Sequence, residues 1–168
     1  MITLVIATCL ILLFGAVVFR GAPYVPTHRA TIIAALEMLP LQKGDLIIDL
    51  GSGDGNVLLR AARAGYRATG YELNPVLAFI AWIRCWRDRR QVRIHLHDYW
   101  IGHWPPDTKA VFVFLAGPYM MKLKRKLDGE MARRNEPLYV VSNGFAIPGV
   151  LPKKLYKGLY LYELKPST

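Results

Sequence analysis

A glycine-rich turn that also carries acidic residues constrains this chain more than any other feature of its sequence. The turn, Asp49–Gly55, has the sequence DLGSGDG and directly follows the apolar run Leu46–Ile48. The next apolar run ends at Glu72, about twenty residues later. A strand, a glycine turn, a helix and a second strand that ends in an acid form a nucleotide-binding βαβ unit.

The acids in the turn indicate which nucleotide it binds. A pyrophosphate needs backbone N–H groups and a helix N-terminus, and Asp54 would repel it. S-adenosylmethionine instead carries an ammonium and a sulfonium, and a charge pair about 4 Å apart is worth roughly 4 kcal/mol at a partly buried site. The dinucleotide spacing also fails, because glycines stand at 51, 53 and 55 and position 56 is Asn. The turn therefore predicts a methyl-donor site.

The apolar pattern predicts an α/β fold, because strands alternate with helices across short links and build a doubly wound sheet. The predicted strands are Leu46–Leu50, Arg67–Tyr71, Val92–His97, Ala110–Leu115 and Leu138–Ser142, followed by a terminal hairpin or paired edge strands over Leu155–Tyr162. Antiparallel strands at the end favour the Rossmann-like methyltransferase fold over the dinucleotide-binding version.

Helices are predicted at about His28–Leu39, with Thr27 as its cap, at Asn56–Ala64, and from Pro75 to about Arg87. The third helix has a predicted buried stripe of Val76, Phe79, Ile80, Ile83 and Trp86. A fourth helix has a predicted stripe of Met120, Leu123, Leu127 and Met131 beneath a lysine-rich face.

The N-terminus differs in composition from the rest. Residues 2–19 are 18 consecutive uncharged residues, and as a helix they would span about 27 Å, near the thickness of a hydrocarbon core. We interpret residues 1–20 as a transmembrane anchor, with a signal peptide and a buried helix as alternatives. Arg20 and Arg29 follow the span, which places the domain on the cytoplasmic side of a bacterial inner membrane, or of a mitochondrial inner membrane in a eukaryote.

The anchor at 1–20 is followed by a loop and helix at 21–44 and a cofactor-binding domain at 45–168. The formal net charge is +10, and basic residues concentrate in 84–93 and 122–134. Solvated helix faces and helix ends, contact with anionic lipid, and nucleic acid are three open explanations, and nucleic acid is the least favoured beside an anchor.

Three acids, Asp49, Glu72 and Asp98, end three successive predicted strands, and the carboxyl edge of a parallel sheet is where ligands bind. We expect Glu72 to accept hydrogen bonds from the ribose hydroxyls and Asp98 to accept one from the adenine amino group. Helix capping or a surface role is the alternative for each acid taken singly. Asp49 is expected to hold the methionine end together with Gly51, Ser52, Gly53 and Gly55. His95 and His97 share a strand face, but no Cys/His cluster completes a set of ligands, and no metal is predicted.

Three segments together resemble the membrane-associated class I protein lysine methyltransferases that act on the ATP synthase c-subunit and the adenine nucleotide translocase, and their prokaryotic relatives. These are Pro23–Thr27 (PYVPT), Asp49–Gly55 and Gly70–Pro75 (GYELNP), and the resemblance covers roughly residues 1–121 with a weaker echo at Phe145–Pro148. It implies a seven-stranded sheet and methylation of a lysine on a membrane or membrane-proximal protein. It also implies cofactor contacts from Tyr24, Val25, Pro26, Thr27, Leu73 and Asn74.

The segment Leu115–Met121 follows the fourth strand, where the acceptor is expected to enter. It is similar to the Asn/Asp-Pro-Pro-Tyr loop of adenine and glutamine N-methyltransferases, but Ala116 replaces the side chain that would hold an amide-like nitrogen, which argues against adenine. Pro118 and Tyr119 are the candidate catalytic residues, with a core or lid role as the alternative for Tyr119. Methylation of RNA or of a small amine, and a non-catalytic cofactor-binding membrane protein, are the alternative functions.

Overall fold

A computed structural model describes residues 25–166, together with Met1, Leu4 and Thr8. The predicted anchor therefore lies almost entirely outside the described residues, as does Tyr24. No helix among the residues that the structure describes is long and apolar enough to cross a bilayer.

The described residues form one sheet of seven strands. The strands are β1 (Leu46–Leu50), β2 (Arg67–Glu72), β3 (Val92–Leu96), β4 (Thr108–Val113), β5 (Leu138–Asn143), β6 (Lys154–Tyr156) and β7 (Leu159–Leu164). Their order is β3-β2-β1-β4-β5-β7-β6. Strands β1 to β5 pair in parallel, whereas β7 is antiparallel to both β5 and β6. The predicted seven-stranded, mostly parallel methyltransferase sheet and its terminal hairpin are confirmed.

Helices cover both faces of the sheet. They are α1 (Arg29–Met38), α2 (Asn56–Arg63), α3 (Pro75–Arg84) and α4 (Met120–Met131), with short 3₁₀ turns at Trp86–Asp88 and Gly117–Tyr119. Every residue of β1 is buried, and its alternate side chains serve two cores: Ile47 packs with α1 and α2, whereas Ile48 packs with α4. A strand covered on both faces is continuously apolar, which is why β1 carries such a strong sequence signal.

Strand β4 begins and ends two residues earlier than the sequence predicts. Thr108 already pairs with Leu46 of β1, and the pairing of β4 with β1 ends at Val113. The apolar run continues to Leu115 because that side chain packs into the core beside α4 after the strand has ended. The apolar run therefore shows which residues are buried, whereas the limits of the strand are set by the backbone hydrogen bonds to β1.

Helix α3 faces opposite to the prediction. Phe79, Ile80, Ile83 and Trp86, predicted to be buried, are 59%, 40%, 55% and 46% exposed. The helix instead buries Leu77, Ala78 and Ala81, and Cys85 directly after it is buried as well. A Cβ atom added to Gly55 would lie only 2.9 Å from Ala81 Cβ, so the approach of α3 to α2 leaves room for small side chains alone. The predicted buried stripe of α4 is confirmed, as Met120, Leu123, Leu127 and Met131 are all buried.

Candidate active site

The glycine turn between β1 and α2 lies at the carboxyl edge of the sheet. Gly51, Gly53 and Gly55 have φ angles of +77°, +53° and +78°, a region that side chains other than hydrogen rarely allow. The N–H groups of Gly51 and Ser52 donate to the carbonyl oxygen of Tyr71 at 2.9 and 3.0 Å. The turn is therefore fixed to the end of β2, and its glycines keep the backbone open to a ligand.

Strand β2 passes so close beneath this turn that only glycine fits at position 70. A Cβ atom there would lie 2.5 Å from Leu58 Cδ1 and 2.6 Å from Ser52 Oγ, both far inside van der Waals contact. Ser52 is itself buried, and its hydroxyl has no hydrogen-bond partner among the described residues. A buried hydroxyl without a partner is a polar group available to a ligand.

Glu72 connects the end of β2 to the glycine turn. Its side chain is buried, and Oε2 accepts the Gly53 N–H at 2.8 Å. Its Oε1 accepts the N–H groups of Leu73 and Asn74 at 2.9 and 2.8 Å. The Asn74 side chain then caps α3 by accepting the Val76 N–H at 2.9 Å. Leu73 and Asn74 thus contribute backbone donors and a helix cap. Two N–H groups occupy Oε1 of Glu72, whereas Oε2 accepts one and keeps a lone pair for a ligand hydroxyl.

Asp49 lies beneath the turn and is only 3% exposed. Burial, together with the carboxylates of Glu72 and Asp54, raises the pKa of Asp49 to about 8. A buried carboxyl in this position disfavours an anionic ligand, whereas a cation nearby would stabilise its ionised form. The electrostatics of the site favour a positively charged ligand at Asp49.

Asp54, the other acid of the turn, is already paired with a cation. Its Oδ2 forms an ion pair with Arg84 Nη1 of α3, and its Oδ1 accepts the Asn56 N–H at 3.2 Å. The guanidinium offsets the charge of Asp54, so Asp54 repels a phosphate much less than the sequence alone predicts. Selection of a cation depends on Asp49 and Glu72 instead.

The described part of the predicted loop, Val25–Thr27, is attached to the first residue of α2. Asn56 Nδ2 donates to the Thr27 carbonyl oxygen at 3.1 Å. Val25 and Pro26 are exposed, and Thr27 is half-buried. Thr27 does not cap α1 as predicted, because the helix starts one residue later and His28 occupies the cap position without a side-chain bond. The backbone of the loop, and not the hydroxyl of Thr27, fixes it beside the turn.

Asp98 follows β3 at the same edge of the sheet, and its Oδ1 accepts the Trp100 N–H at 2.9 Å. The next residue, Tyr99, lies against the turn, since a Cβ atom on Gly51 would be 3.9 Å from Tyr99 Cε1. Burial and the carboxylates of Asp98 and Glu72 raise the pKa of the Tyr99 phenol. Tyr99 is thus a site residue that the sequence predictions do not include, although its position directly after a strand-end acid is a usable signal.

The predicted acceptor segment lies beyond β4. Gly117–Tyr119 form its 3₁₀ turn, in which Pro118 is exposed and Tyr119 is half-buried against the core beside α4. The Tyr119 and Tyr99 phenols are close enough for Tyr119 to contribute to the raised Tyr99 pKa. The Phe145 ring, from the segment after β5, lies 3.5 Å from where a Gly117 Cβ atom would stand. Tyr99 therefore lies at the glycine turn with Tyr119 near it, and Phe145 lies beside the acceptor segment.

The parallel sheet, the glycine turn and the buried strand-end acids define a Rossmann-like class I methyltransferase. Residues 49–154 match the family model described as the ANTKMT methyltransferase domain. The chain belongs to this family, which confirms the family predicted from the sequence motifs. The predicted cofactor, S-adenosylmethionine, is that of the family, and the buried acids, the free Ser52 hydroxyl and the glycine cradle fit it.

Curated relatives are identical to this chain at about a third of the aligned positions. An ATP synthase c-subunit lysine N-methyltransferase from Xenopus laevis is 31% identical over 80% of this chain and 58% of its own length. An adenine nucleotide translocase lysine N-methyltransferase from Mus musculus is 36% identical over 75% and 54%. A protein-lysine N-methyltransferase from Saccharolobus islandicus is 30% identical over 80% and 84%. The chain spans about half the length of the animal relatives.

Among solved structures, an RNA methyltransferase from Salinibacter ruber in complex with S-adenosyl-L-homocysteine has a TM-score of 0.77 and 25% sequence identity. The match covers 86% of this chain and 96% of that one. The similarity extends over nearly the whole of that protein, so the two proteins share the sheet and its helices.

Proposed function

We propose that this protein is an N-methyltransferase that transfers the methyl group of S-adenosylmethionine to a lysine side chain of a membrane or membrane-proximal protein. The observation that carries the proposal is the pair of buried acids, Asp49 and Glu72, beside the glycine turn. Family membership supports the transfer reaction. The printed names of the curated relatives, which specify lysine N-methylation, support a protein acceptor.

The donor half of the site binds S-adenosylmethionine and orients it. S-adenosylmethionine supplies an electrophilic methyl group on a positively charged sulfur. Asp49 provides negative charge beneath the turn when it is ionised, and Glu72 is held by three backbone N–H groups in one orientation. A carboxylate fixed in this way loses little freedom when it accepts a ligand hydroxyl, so its contribution is preorganised.

The acceptor half must present a neutral amine in line with the methyl group. A lysine amine is protonated in water, and an apolar surrounding lowers its pKa because burial disfavours the charged form. The half-buried rings of Tyr99 and Tyr119, with Phe145 nearby, provide such a surrounding beside the turn. The Tyr119 phenol could accept a hydrogen bond from the amine and so orient its lone pair. Positioning supplies most of the rate enhancement in this proposal.

The membrane part of the proposal rests on the sequence of residues 2–19. An anchor there would hold the domain on the cytoplasmic side of a bacterial inner membrane; in a eukaryote the membrane would be the mitochondrial inner membrane. Tethering raises the effective concentration of an acceptor in the same bilayer without any new contact. The names of the relatives support this acceptor class, since they specify the ATP synthase c-subunit and the adenine nucleotide translocase.

The proposal is tested by labelling. Membranes from a strain that lacks the protein are incubated with purified full-length protein and tritiated S-adenosylmethionine, and the labelled product is identified by mass spectrometry. We expect label on a lysine of one membrane-fraction protein, and no label with Asp49→Ala or Glu72→Ala. Donor binding without any labelled product would instead indicate a non-catalytic cofactor-binding protein.

RNA methylation is the second candidate function. The structural similarity to an RNA methyltransferase and the net charge of +10 favour it. A nucleic-acid ligand would bind with a steep salt dependence, because each neutralised phosphate releases a counterion. Label that enters RNA, with tight binding that is lost between low and moderate salt, would replace the lysine proposal by this one.

A further inference from the structure

We infer that the exposed face of α3 docks on the interface of an anionic lipid bilayer. Phe79, Trp82, Ile83 and Trp86, which we call the aromatic stripe, are each about half exposed. Their spacing places them on one face of the helix and its first following turn. The inference concerns how the domain sits on a membrane, and it goes beyond the proposed function because it does not depend on the acceptor.

The aromatic stripe is not a misoriented core face. The opposite side of α3 is already filled by Leu77, Ala78 and Ala81, which are buried. The exposed rings also pack on each other: the Phe79 and Trp82 centroids are 6.2 Å apart, and those of Trp82 and Trp86 are 4.5 Å apart. A contiguous apolar patch on the surface of a domain marks an interaction site, in contrast to single exposed apolar residues.

Arginines surround the C-terminal end of the stripe. Residues 82–93 contain five arginines and a single acid, Asp88. The Arg89 guanidinium lies 4.8 Å from the centroid of the Trp86 ring and donates to the Trp86 carbonyl oxygen at 3.2 Å. Tryptophan and arginine together are typical of surfaces that lie at the level of lipid headgroups, with apolar rings below and cations at the phosphates.

A second group of arginines lies beside the stripe. Arg29, Arg60 and Arg63 line a groove of about 390 Å³ between α1 and α2. Burial lowers the pKa of Arg60, and the charges of Arg29, Arg63 and Arg84 lower it further. Helix α2 contacts both α1 and α3, so the groove lies on the same side of the sheet as α3. That side of the protein carries apolar rings and an excess of arginines, with Glu37 as the acid of the groove.

The charge identifies the occupant. In a symmetric dimer built on this face, the same arginines of two copies would meet, which opposes self-association. An anionic leaflet attracts them instead, at about a fivefold gain in affinity for each well-placed arginine. The 10-residue helix is about 15 Å long, too short to span a bilayer and suited to lying in its plane. Since α3 follows directly after Asn74, its first turn lies beside the donor site.

Tryptophan fluorescence tests the inference in the full-length protein. The chain has four tryptophans, Trp82, Trp86, Trp100 and Trp104, and only the first two belong to the stripe. The protein is reconstituted with vesicles of 70% phosphatidylcholine and 30% phosphatidylglycerol that contain brominated phosphatidylcholine as the quencher. We expect Trp82→Phe/Trp86→Phe to remove most of the bromine quenching and Trp100→Phe to remove little. Both changes keep an aromatic ring, and far-UV circular dichroism confirms folding.

A matched pair of variants distinguishes docking through the aromatic stripe from non-specific hydrophobic binding to lipid. Phe79→Ser/Ile83→Ser is expected to reduce quenching, whereas Leu151→Ser/Leu155→Ser, which changes two exposed leucines near the opposite edge of the sheet, is not. Vesicles of phosphatidylcholine alone should give less quenching than the anionic vesicles. Neither readout involves methyl transfer, so failure here is distinguishable from failure of the proposed function.

Three outcomes would overturn the inference. Quenching that persists in Trp82→Phe/Trp86→Phe would place other residues at the lipid. Protection of Trp82 and Trp86 from aqueous iodide without vesicles would show that another part of the chain, or a second copy, covers the stripe. Protection that requires an acidic protein, with no bromine quenching, would assign the face to a protein partner.

Discussion

The carboxylate of Glu72 and the backbone N–H of Gly53 are joined by a hydrogen bond of 2.8 Å. This bond links the end of β2 to the glycine turn that follows β1, and the same carboxylate also accepts two N–H groups at the start of the next loop. Glu72 therefore shapes the donor site before any ligand arrives, in addition to offering the remaining lone pair of Oε2.

Glu72→Gln is expected to weaken both folding and donor binding. An amide has only one acceptor oxygen, so its NH₂ group must face at least one of the backbone N–H groups that Glu72 now accepts. A buried donor without an acceptor costs about 1–3 kcal/mol, or roughly 2–12 °C in melting temperature for a domain of this size. We expect at least about a tenfold loss of S-adenosylmethionine affinity by calorimetry. Glu136→Gln, on the surface, is the control and should change neither by more than about 0.5 kcal/mol.

Affinity for S-adenosylmethionine is expected to increase with pH up to about 8. In the free protein Asp49 has a pKa of about 8, so at neutral pH its carboxyl group is mostly protonated. A bound cation lowers that pKa, and binding therefore releases a proton. Affinity should rise by up to about tenfold per pH unit below 8 and then level off. Calorimetry in two buffers of different ionisation enthalpy measures the released proton, and Asp49→Asn should abolish this part of the pH dependence.

Asp49→Asn is expected to stabilise the ligand-free protein while it weakens donor binding. Unfolding restores the ordinary carboxyl pKa of 3.8, whereas the folded protein holds it at about 8. Between these values the unfolded state binds fewer protons, so the stability contributed by this group falls as pH rises. The variant should therefore melt higher than the parent at pH 8, by at least about 2–4 °C, and the two should converge near pH 4. An equal difference at both pH values would contradict this account.

Gly70→Ala and Gly129→Ala are expected to have opposite effects on stability. A methyl group at position 70 would lie 2.5–2.7 Å from atoms of Leu58 and Ser52, and relieving such overpacking costs about 1–3 kcal/mol. Position 129 lies within α4 with no atom within 4 Å of a new Cβ. Alanine there should stabilise the helix by about 0.5–1 kcal/mol. Denaturant titration of both variants measures the two signs, and a destabilised Gly129→Ala would argue against the structure of α4.

Tyr119→Phe is expected to slow methyl transfer and to leave donor affinity unchanged. If the phenol orients the acceptor amine, its loss removes one hydrogen bond of about 1 kcal/mol or more, which is roughly fivefold or more in kcat/KM. Tyr156→Phe, exposed on β6, is the matched control with no expected effect. A change in S-adenosylmethionine affinity without a change in the rate of the bound complex would assign Tyr119 to the donor half instead.

The local part of the site could be predicted from the sequence, because its signals are local. A buried strand, a glycine turn and an acid at the next strand end lie within one βαβ unit, and the carboxyl edge of a parallel sheet brings them together. The positions of Asp49, Glu72 and Asp98 at that edge follow from the strand order alone. The hydrogen bonds of Glu72 to the Leu73 and Asn74 N–H groups are also local, because these residues directly follow Glu72 in the chain.

Contacts between distant segments could not be predicted. Asp54 forms an ion pair with Arg84, which is 30 residues away in the chain, and neither segment carries a sequence signal that predicts this pair. The direction of α3 has the same cause: both sides of the helix are apolar, with large rings on one and small side chains on the other. Periodicity identifies a helix but does not decide between two apolar sides. The close approach of Gly55 to Ala81 decides it, and that approach exists only in the folded chain.

Helix α1 lies outside the segment that the sequence motifs and the family match cover, but it belongs to the same folding unit. Ile32, Ala35, Leu36 and Met38 share one hydrophobic core with β1, β4 and α2, yet the family match starts at residue 49. A shortened version cut at the first motif would expose that core and would be prone to aggregate. Any truncation made for expression should therefore retain Thr27, whose carbonyl oxygen holds the incoming backbone to Asn56.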